Sequence, residues 1–261
     1  MVVAASVCSW RPNLAPQLSQ NLKRFRVYSS LPPISFSSTR ERTLSLIHNS
    51  GVIACLRANS AELAFEAASA ALRAGISVLE IVMSTPGVFQ VLQQLVKDHP
   101  TVALGVGTVL NAEDAINAKR AGAKFLMSPA TVMGIMDVVL DGEVLYIPGA
   151  MTPTEILSAY DAGAKIIKVY PVSALGGTQY ISALKKPFAH ISMVASQGIM
   201  IDSVGDYISC GASSVVLSDA IFNKEAMAQK NFNEIYQLAC LANLQGQEAV
   251  ERLKHWRRIF Y

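Results

Sequence analysis

No apolar run in this 261-residue chain approaches the roughly 20 residues that a membrane-spanning helix needs, so no membrane partner is expected. Cysteine is sparse. Cys8, Cys55, Cys210 and Cys240 form no CxxC pair and no metal-ligand spacing, and they read as buried thiols of a reducing compartment. The four histidines, His48, His99, His190 and His255, are scattered, which argues against a histidine-rich metal centre. The nucleotide-binding glycine signal is incomplete. Gly105-Val106-Gly107-Thr108 runs on into Val109-Leu110, so the third glycine of a dinucleotide turn is missing. Charge is low as well, at 16% of residues against 51% hydrophobic. Much of the chain must therefore be buried on both faces, as in a parallel sheet.

Acidic residues are absent from residues 1–40, which hold Arg11, Lys23, Arg24, Arg26 and Arg40. Without those five cations the remainder has 17 basic and 19 acidic residues, so the overall charge of +3 becomes −2. That body offers no basic stripe for nucleic acid. Residues 1–38 are rich in serine, break at Pro32-Pro33 and show no secretory apolar core. They read as a disordered organelle import peptide, with the chloroplast stroma preferred to the mitochondrion. A disordered tail without a targeting role is the plain alternative. Residues 39–261 are expected to form the folded domain.

Strand-like and helix-like segments alternate through that domain. A short leading helix over Arg40–Asn49 precedes eight candidate strands: Val52–Leu56, Ser77–Val82, Thr101–Val106, Lys124–Met127, Val144–Ile147, Lys165–Val169, His190–Ala195 and Ser213–Leu217. Ser60 and Asn111 are placed to cap helices over Ala61–Ala74 and Ala112–Ala121. Pro86 is expected in the first turn of a helix ending near Asp98. Thr152-Pro153-Thr154-Glu155 is a full helix start. Ala74-Gly75, Ala121-Gly122, Ala162-Gly163 and Cys210-Gly211 each precede a strand, and their glycines are 47, 41 and 48 residues apart, two β/α units each time. Eight strands at that pace close a (β/α)8 TIM barrel. An open doubly wound sheet is the alternative. Beyond the eighth strand, Lys224–Ala249 reads as a helical extension. A basic, aromatic end follows, suited to packing on the barrel, to packing on a neighbouring subunit, or to solvent.

Barrel sites form at the C-terminal ends of the strands. Those ends supply Arg57, Glu80, Ser84, Thr108, Pro129, Lys168, Ser196, Gly198 and Ser218, with Asp219 beside the last. Glu80 and Lys168 stand out because each is a charged residue inside an apolar strand. Alternation puts Val78, Glu80 and Val82 on one face, and Ile166 and Lys168 on one face. If both faces point inward, the two groups meet above the core, as a nucleophilic amine and a proton shuttle. A structural buried ion pair is the other reading.

Several stretches are similar to one family. They are Gly51-Val52-Ile53-Ala54-Cys55-Leu56-Arg57-Ala58, Leu79-Glu80-Ile81, Gly105-Val106-Gly107-Thr108-Val109-Leu110-Asn111, Met127-Ser128-Pro129, Ile147-Pro148-Gly149 and Ile167-Lys168-Val169-Tyr170-Pro171. From about Ser50 to Phe222 the chain resembles the 2-keto-3-deoxy-6-phosphogluconate / 4-hydroxy-2-oxoglutarate aldolases. These are class I aldehyde-lyases on a TIM barrel. The resemblance implies that Lys168 is the Schiff-base lysine and Glu80 the acid/base residue. It further implies that Thr108 holds a pyruvate carboxylate and that Arg57 reaches the distal anionic part of a 2-oxo acid. A homotrimer without metal or cofactor is implied too.

The chain also departs from that family. Ser84 stands where the family has an arginine for the pyruvate carboxylate. Ser196-Gln197-Gly198 stands for TGG, and Leu217-Ser218-Asp219 for the GGS phosphate loop. Phosphate needs open backbone N–H groups and positive charge, so a 4-hydroxy-2-oxo acid with a short polar tail is the expected substrate. A 2-oxo acid decarboxylase using the same amine is one alternative. A non-catalytic barrel that binds a metabolite or a partner is the other.

Overall fold

The computed structural model describes residues 38–140 and 142–260. The expected import peptide therefore lies outside the described residues, apart from Ser38. In chain order the elements are α1 (Thr39–Ser50), β1 (Val52–Leu56), α2 (Ala61–Arg73), β2 (Val78–Val82), α3 (Val88–Asp98), β3 (Ala103–Gly107), α4 (Ala112–Arg120), β4 (Phe125–Met127) and α5 (Met133–Val138). There follow β5 (Leu145–Ile147), β6 (Gly149–Ala150), α6 (Pro153–Asp161), β7 (Ile167–Val169), α7 (Thr178–Lys185), β8 (Met193–Ser196), α8 (Val204–Ser209), β9 (Ser214–Leu217), α9 (Lys224–Ala228) and α10 (Phe232–Phe260).

All strand pairs are parallel, in the order β5-β4-β3-β2-β1-β9-β8-β7-β6. The two ends of that order are one stretch of chain interrupted at Pro148. Its first half pairs with β4 and its second half with β7, which closes an eight-membered barrel. Proline has no N–H for a ladder, but the Pro148 carbonyl still accepts from the Lys168 N–H at 2.8 Å.

Alternation sorts the apolar side chains into two cores. Leu79, Ile81, Leu104, Val106, Leu126 and Ile167 face the surrounding helices. Ile53, Val78, Phe125, Leu145, Ile166 and Val194 fill the barrel interior. Ile47 of α1 joins the interior group, so the leading helix seals the end at which the strands begin.

The repeated Ala/Cys-Gly pairs end α2, α4, α6 and α8. Their glycines have φ between 94° and 106°. In each, the glycine N–H bonds back three residues and the next N–H bonds back five, as Gly75 to Leu72 and Ile76 to Ala71 do. That is a Schellman cap, and it turns the chain at once into the following strand. At α6, Thr152 and Glu155 form the expected capping box. The N–H groups of Met151 and Thr152 hold the Glu155 carboxyl below the usual carboxylate range.

Two expectations are corrected. Pro86 lies before α3, not in its first turn. Gly87 takes φ 68° as the helix N-cap, so the turn runs one residue further and the helix begins at Val88. The C-terminal extension is two helices. The chain breaks where Lys230 takes φ 53°, Asn231 caps the next helix through Glu234 N–H, and α10 runs on to Phe260. It packs across α2 and α8. Gly246 lets it approach the start of β1, because a Cβ there would lie 2.5 Å from the Ser50 carbonyl oxygen.

Gly105 has a packing task inside the barrel. A Cβ on it would sit 2.6 Å from both the ring and the carbonyl oxygen of buried Phe125. Gly105→Ala should therefore lose about 1–3 kcal/mol by overpacking. Urea denaturation reads the loss as a lower midpoint at an unchanged slope.

Candidate active site

The C-terminal mouth of the barrel holds a cavity of about 640 Å³. That volume suits a small acid and would dwarf a single ion. Lys168, Glu80, Thr108, Arg57, Pro129, Ser196, Gly198 and Ser218 all line it. Ser84 does not. It lines an adjoining cavity of about 460 Å³ together with Arg57, Lys224, Ser218 and Asp219. Among the described residues no group of three His, Cys, Asp or Glu side chains is placed to hold a metal ion. No helix among them is long and apolar enough to cross a membrane.

The two charged strand residues share the inner face of the barrel. Ile166 and Val78, two residues earlier on each strand, belong to its apolar interior. Glu80 is 1% exposed and Lys168 7%. The Lys168 ammonium position lies 5.3 Å from the centre of the Tyr170 ring, within cation–π range.

Gly107 makes room for the acid. A Cβ there would lie 2.2 Å from Glu80 Oε2. In this chain the second glycine of the GVGT stretch accordingly admits a carboxylate, with no phosphate needed to explain it. The next residue, Thr108, has φ 59°. A β-branched residue in the left-handed region is a genuine outlier and costs on the order of 1–3 kcal/mol. Such strain collects at functional positions, and here it sits beside the buried lysine–glutamate cavity.

Hydrogen bonds that no sequence motif announces fix the surrounding loops. The Tyr146 hydroxyl donates to Ser128 Oγ at 3.0 Å, and Ser128 Oγ donates to the Val109 carbonyl at 2.6 Å. The same phenol accepts from Val132 N–H at 3.0 Å. Burial pushes the Tyr146 phenol up, so it remains a donor. Thr85 Oγ1 accepts from Ala58 N–H at 3.3 Å, tying the loop of Arg57 to that of Ser84. Gly149 lies so near Pro129 that a Cβ would be 2.2 Å from its carbonyl. Met127-Ser128-Pro129 and Ile147-Pro148-Gly149 are thus interlocked loop ends.

One residue at the base of the cavity escaped the sequence reading, except as a buried thiol. Cys55 is the register partner of Glu80 on the adjacent strand. Burial, together with the neighbouring Glu80 carboxylate, pushes its thiol well above the ordinary value; Lys168 and a bond from Ser218 oppose this only partly. The signal that could have found it is register, which a sequence does not display.

A strand-borne amine and a carboxyl in the mouth of a (β/α)8 barrel define the class: a lysine-centred barrel equipped for imine chemistry. The model of the KDPG and KHG aldolase family matches residues 44–238. The chain belongs to that family. It is 26% identical over 210 residues to the KHG/KDPG aldolase of Escherichia coli K12, covering 80% of this chain and 95% of that one. It is 32% identical over 160 residues to the 2-dehydro-3-deoxy-phosphogluconate aldolase of Treponema pallidum, covering 59% and 76%. Among solved structures it is similar to the KDPG aldolase of Legionella pneumophila, captured with pyruvate as a covalent carbinolamine. That match has TM-score 0.71 and 25% identity over 77% of this chain and 97% of that one.

The raised thiol has a direct consequence. Only thiolate reacts with alkylating agents, so Cys55 should be silent to iodoacetamide at pH 7 and label only well above the pH at which an ordinary thiol ionises. Peptide mapping across a pH series checks this.

Proposed function

We propose that the protein is a class I aldolase that cleaves a 4-hydroxy-2-oxo acid into pyruvate and an aldehyde. The observation that carries the reading is the placement of Lys168, inward-facing and nearly dry, in one cavity with Glu80. Lys168 in its neutral form attacks the C2 carbonyl. The carbinolamine loses water and becomes an iminium, which can accept an electron pair. Glu80 takes the proton of the C4 hydroxyl, directly or through water. The C4–O electrons form the aldehyde carbonyl, the C3–C4 bond breaks, and its pair enters the enamine. Protonation at C3 and addition of water release pyruvate and the free amine. Thr108 is the candidate for orienting the pyruvate carboxylate.

The tail of the substrate meets the adjoining cavity. Arg57 and Lys224 bring two positive charges there and Asp219 brings one negative charge. The formal balance of +1 matches a monoanionic or polar tail better than a phosphate dianion. Ser84 contributes a hydroxyl and no charge. We therefore read the substrate as unphosphorylated. The composition of residues 1–38 supports import into the chloroplast stroma, and the family resemblance supports a homotrimer.

Incubation with pyruvate and borohydride should fix a reduced adduct on Lys168, visible by mass spectrometry, and Lys168→Ala should abolish it. Folded wild-type protein that gains no adduct would falsify the aldolase reading. On substrate pairs differing only in the tail phosphate, kcat/KM should favour the unphosphorylated member by about tenfold, or ~1.4 kcal/mol of transition-state binding. A preference for the phosphorylated member overturns the substrate assignment and leaves the aldolase chemistry standing.

A further inference from the structure

Lys168 and Tyr170 are two residues apart at one strand end, so both turn to the same inner face. The backbone ladder fixes them there. Lys168 N–H donates to the Pro148 carbonyl at 2.8 Å, and Tyr170 N–H to the Ala150 carbonyl at 3.1 Å. Both side chains line the cavity in the barrel mouth. Lys168 Nζ lies over the Tyr170 ring, 5.3 Å from its centre. Among the described residues no carboxylate comes within 4.0 Å of that nitrogen, Glu80 included. The electron-rich face of the ring is thus the group at hand for a positive charge on Nζ.

The steps proposed above put such a charge there. Nζ is neutral when it attacks C2, and cationic once the carbinolamine has lost water. We propose that the Tyr170 ring stabilises the iminium on Lys168 and so sets how much of the bound 2-oxo acid is held in that form. The inference rests on the aldolase reading. A resting ammonium presents three N–H groups to the water of the open mouth. The iminium has one N–H and is more weakly hydrated, so a π face favours it more. The face of a ring accepts no proton in this range of basicity, so it steadies the cation without competing with Glu80 as a base.

The test keeps the shape of the ring and changes its charge distribution. In the full chain, Tyr170→Phe retains the π face. Replacing Tyr170 by 3,5-difluoro- and 3,4,5-trifluorophenylalanine withdraws electrons from that face stepwise. The measurement is the pyruvate concentration giving half-maximal borohydride trapping at Lys168, read by mass spectrometry. Tyr170→Phe should stay within about twofold of the wild type. The half-saturating concentration should rise with each step of fluorination, to about fivefold for the trifluoro ring, and Tyr170→Leu should show a similar loss. Fluorine also makes the ring more apolar, so a merely apolar contact with pyruvate would move the series the other way. Thermal melting shows that each variant is folded, and the fluorinated series is decisive even where the leucine variant does not fold. A flat or reversed series, or a folded leucine variant that traps like the wild type, overturns the proposal. Absence of trapping in the wild type would instead remove the aldolase reading beneath it.

Discussion

Glu80 and Lys168 stand on the inner face of the barrel immediately above an apolar interior, and the cost of keeping them there governs the rest of the structure. Desolvating an ion costs several kcal/mol even after the protein relaxes around it. Val78 and Ile166, below them on the same faces, belong to a dry core, and Ile47 seals its far end. The open mouth is the side from which substrate and water approach. In the reaction proposed above, the amine attacks a carbonyl and the carboxyl takes a proton. The two groups that burden the fold are thus the two to which the proposed chemistry is assigned.

Such a site needs space as much as charge. Gly105 yields to the Phe125 ring, Gly107 to the Glu80 carboxylate and Gly149 to the Pro129 carbonyl. Each removes a side chain where a neighbour must come close. The loops above are then tied to one another through Tyr146, Ser128 and Val109, and through Thr85 and Ala58. That lattice resists the relaxation that would relieve Thr108 of its φ of 59°.

Much of this was legible in the chain itself. Apolar runs located the eight barrel strands, and the four Ala/Cys-Gly pairs gave the spacing and handedness of the turns into them. Period-two alternation put Glu80 on one face with Val78 and Val82, and Lys168 on one face with Ile166; that these faces point inward is what the structure adds. What was hidden depends on contacts between distant residues. Pro148 splits the fifth strand because two neighbours claim its two halves, which no local pattern shows. Pro86 resembled a helix start, and only the left-handed Gly87 moved the helix onward. Lys230 breaks a sequence that remains helix-compatible by composition. The thiol of Cys55 acquires meaning only through its register with Glu80.

The departures from the family pattern are also physical statements. Gln197 stands where the family has a glycine, yet its φ is 88°. The loop after β8 has therefore kept a glycine-like backbone and accepted a strain of roughly 1–2 kcal/mol to carry a side chain there. That side chain is held in place, since the Ser173 hydroxyl donates to its amide oxygen. Gly198, with φ 72°, passes so close to Ser173 that a Cβ would lie 2.5 Å from its hydroxyl oxygen. Three residues from two loops are thus locked together on the rim of the cavity. The substitution keeps the strained backbone and adds an exposed side chain to the lining of the mouth. In the reading proposed above, the side chain at Gln197 and the negative charge at Asp219 would both disfavour a phosphate ester at the substrate tail.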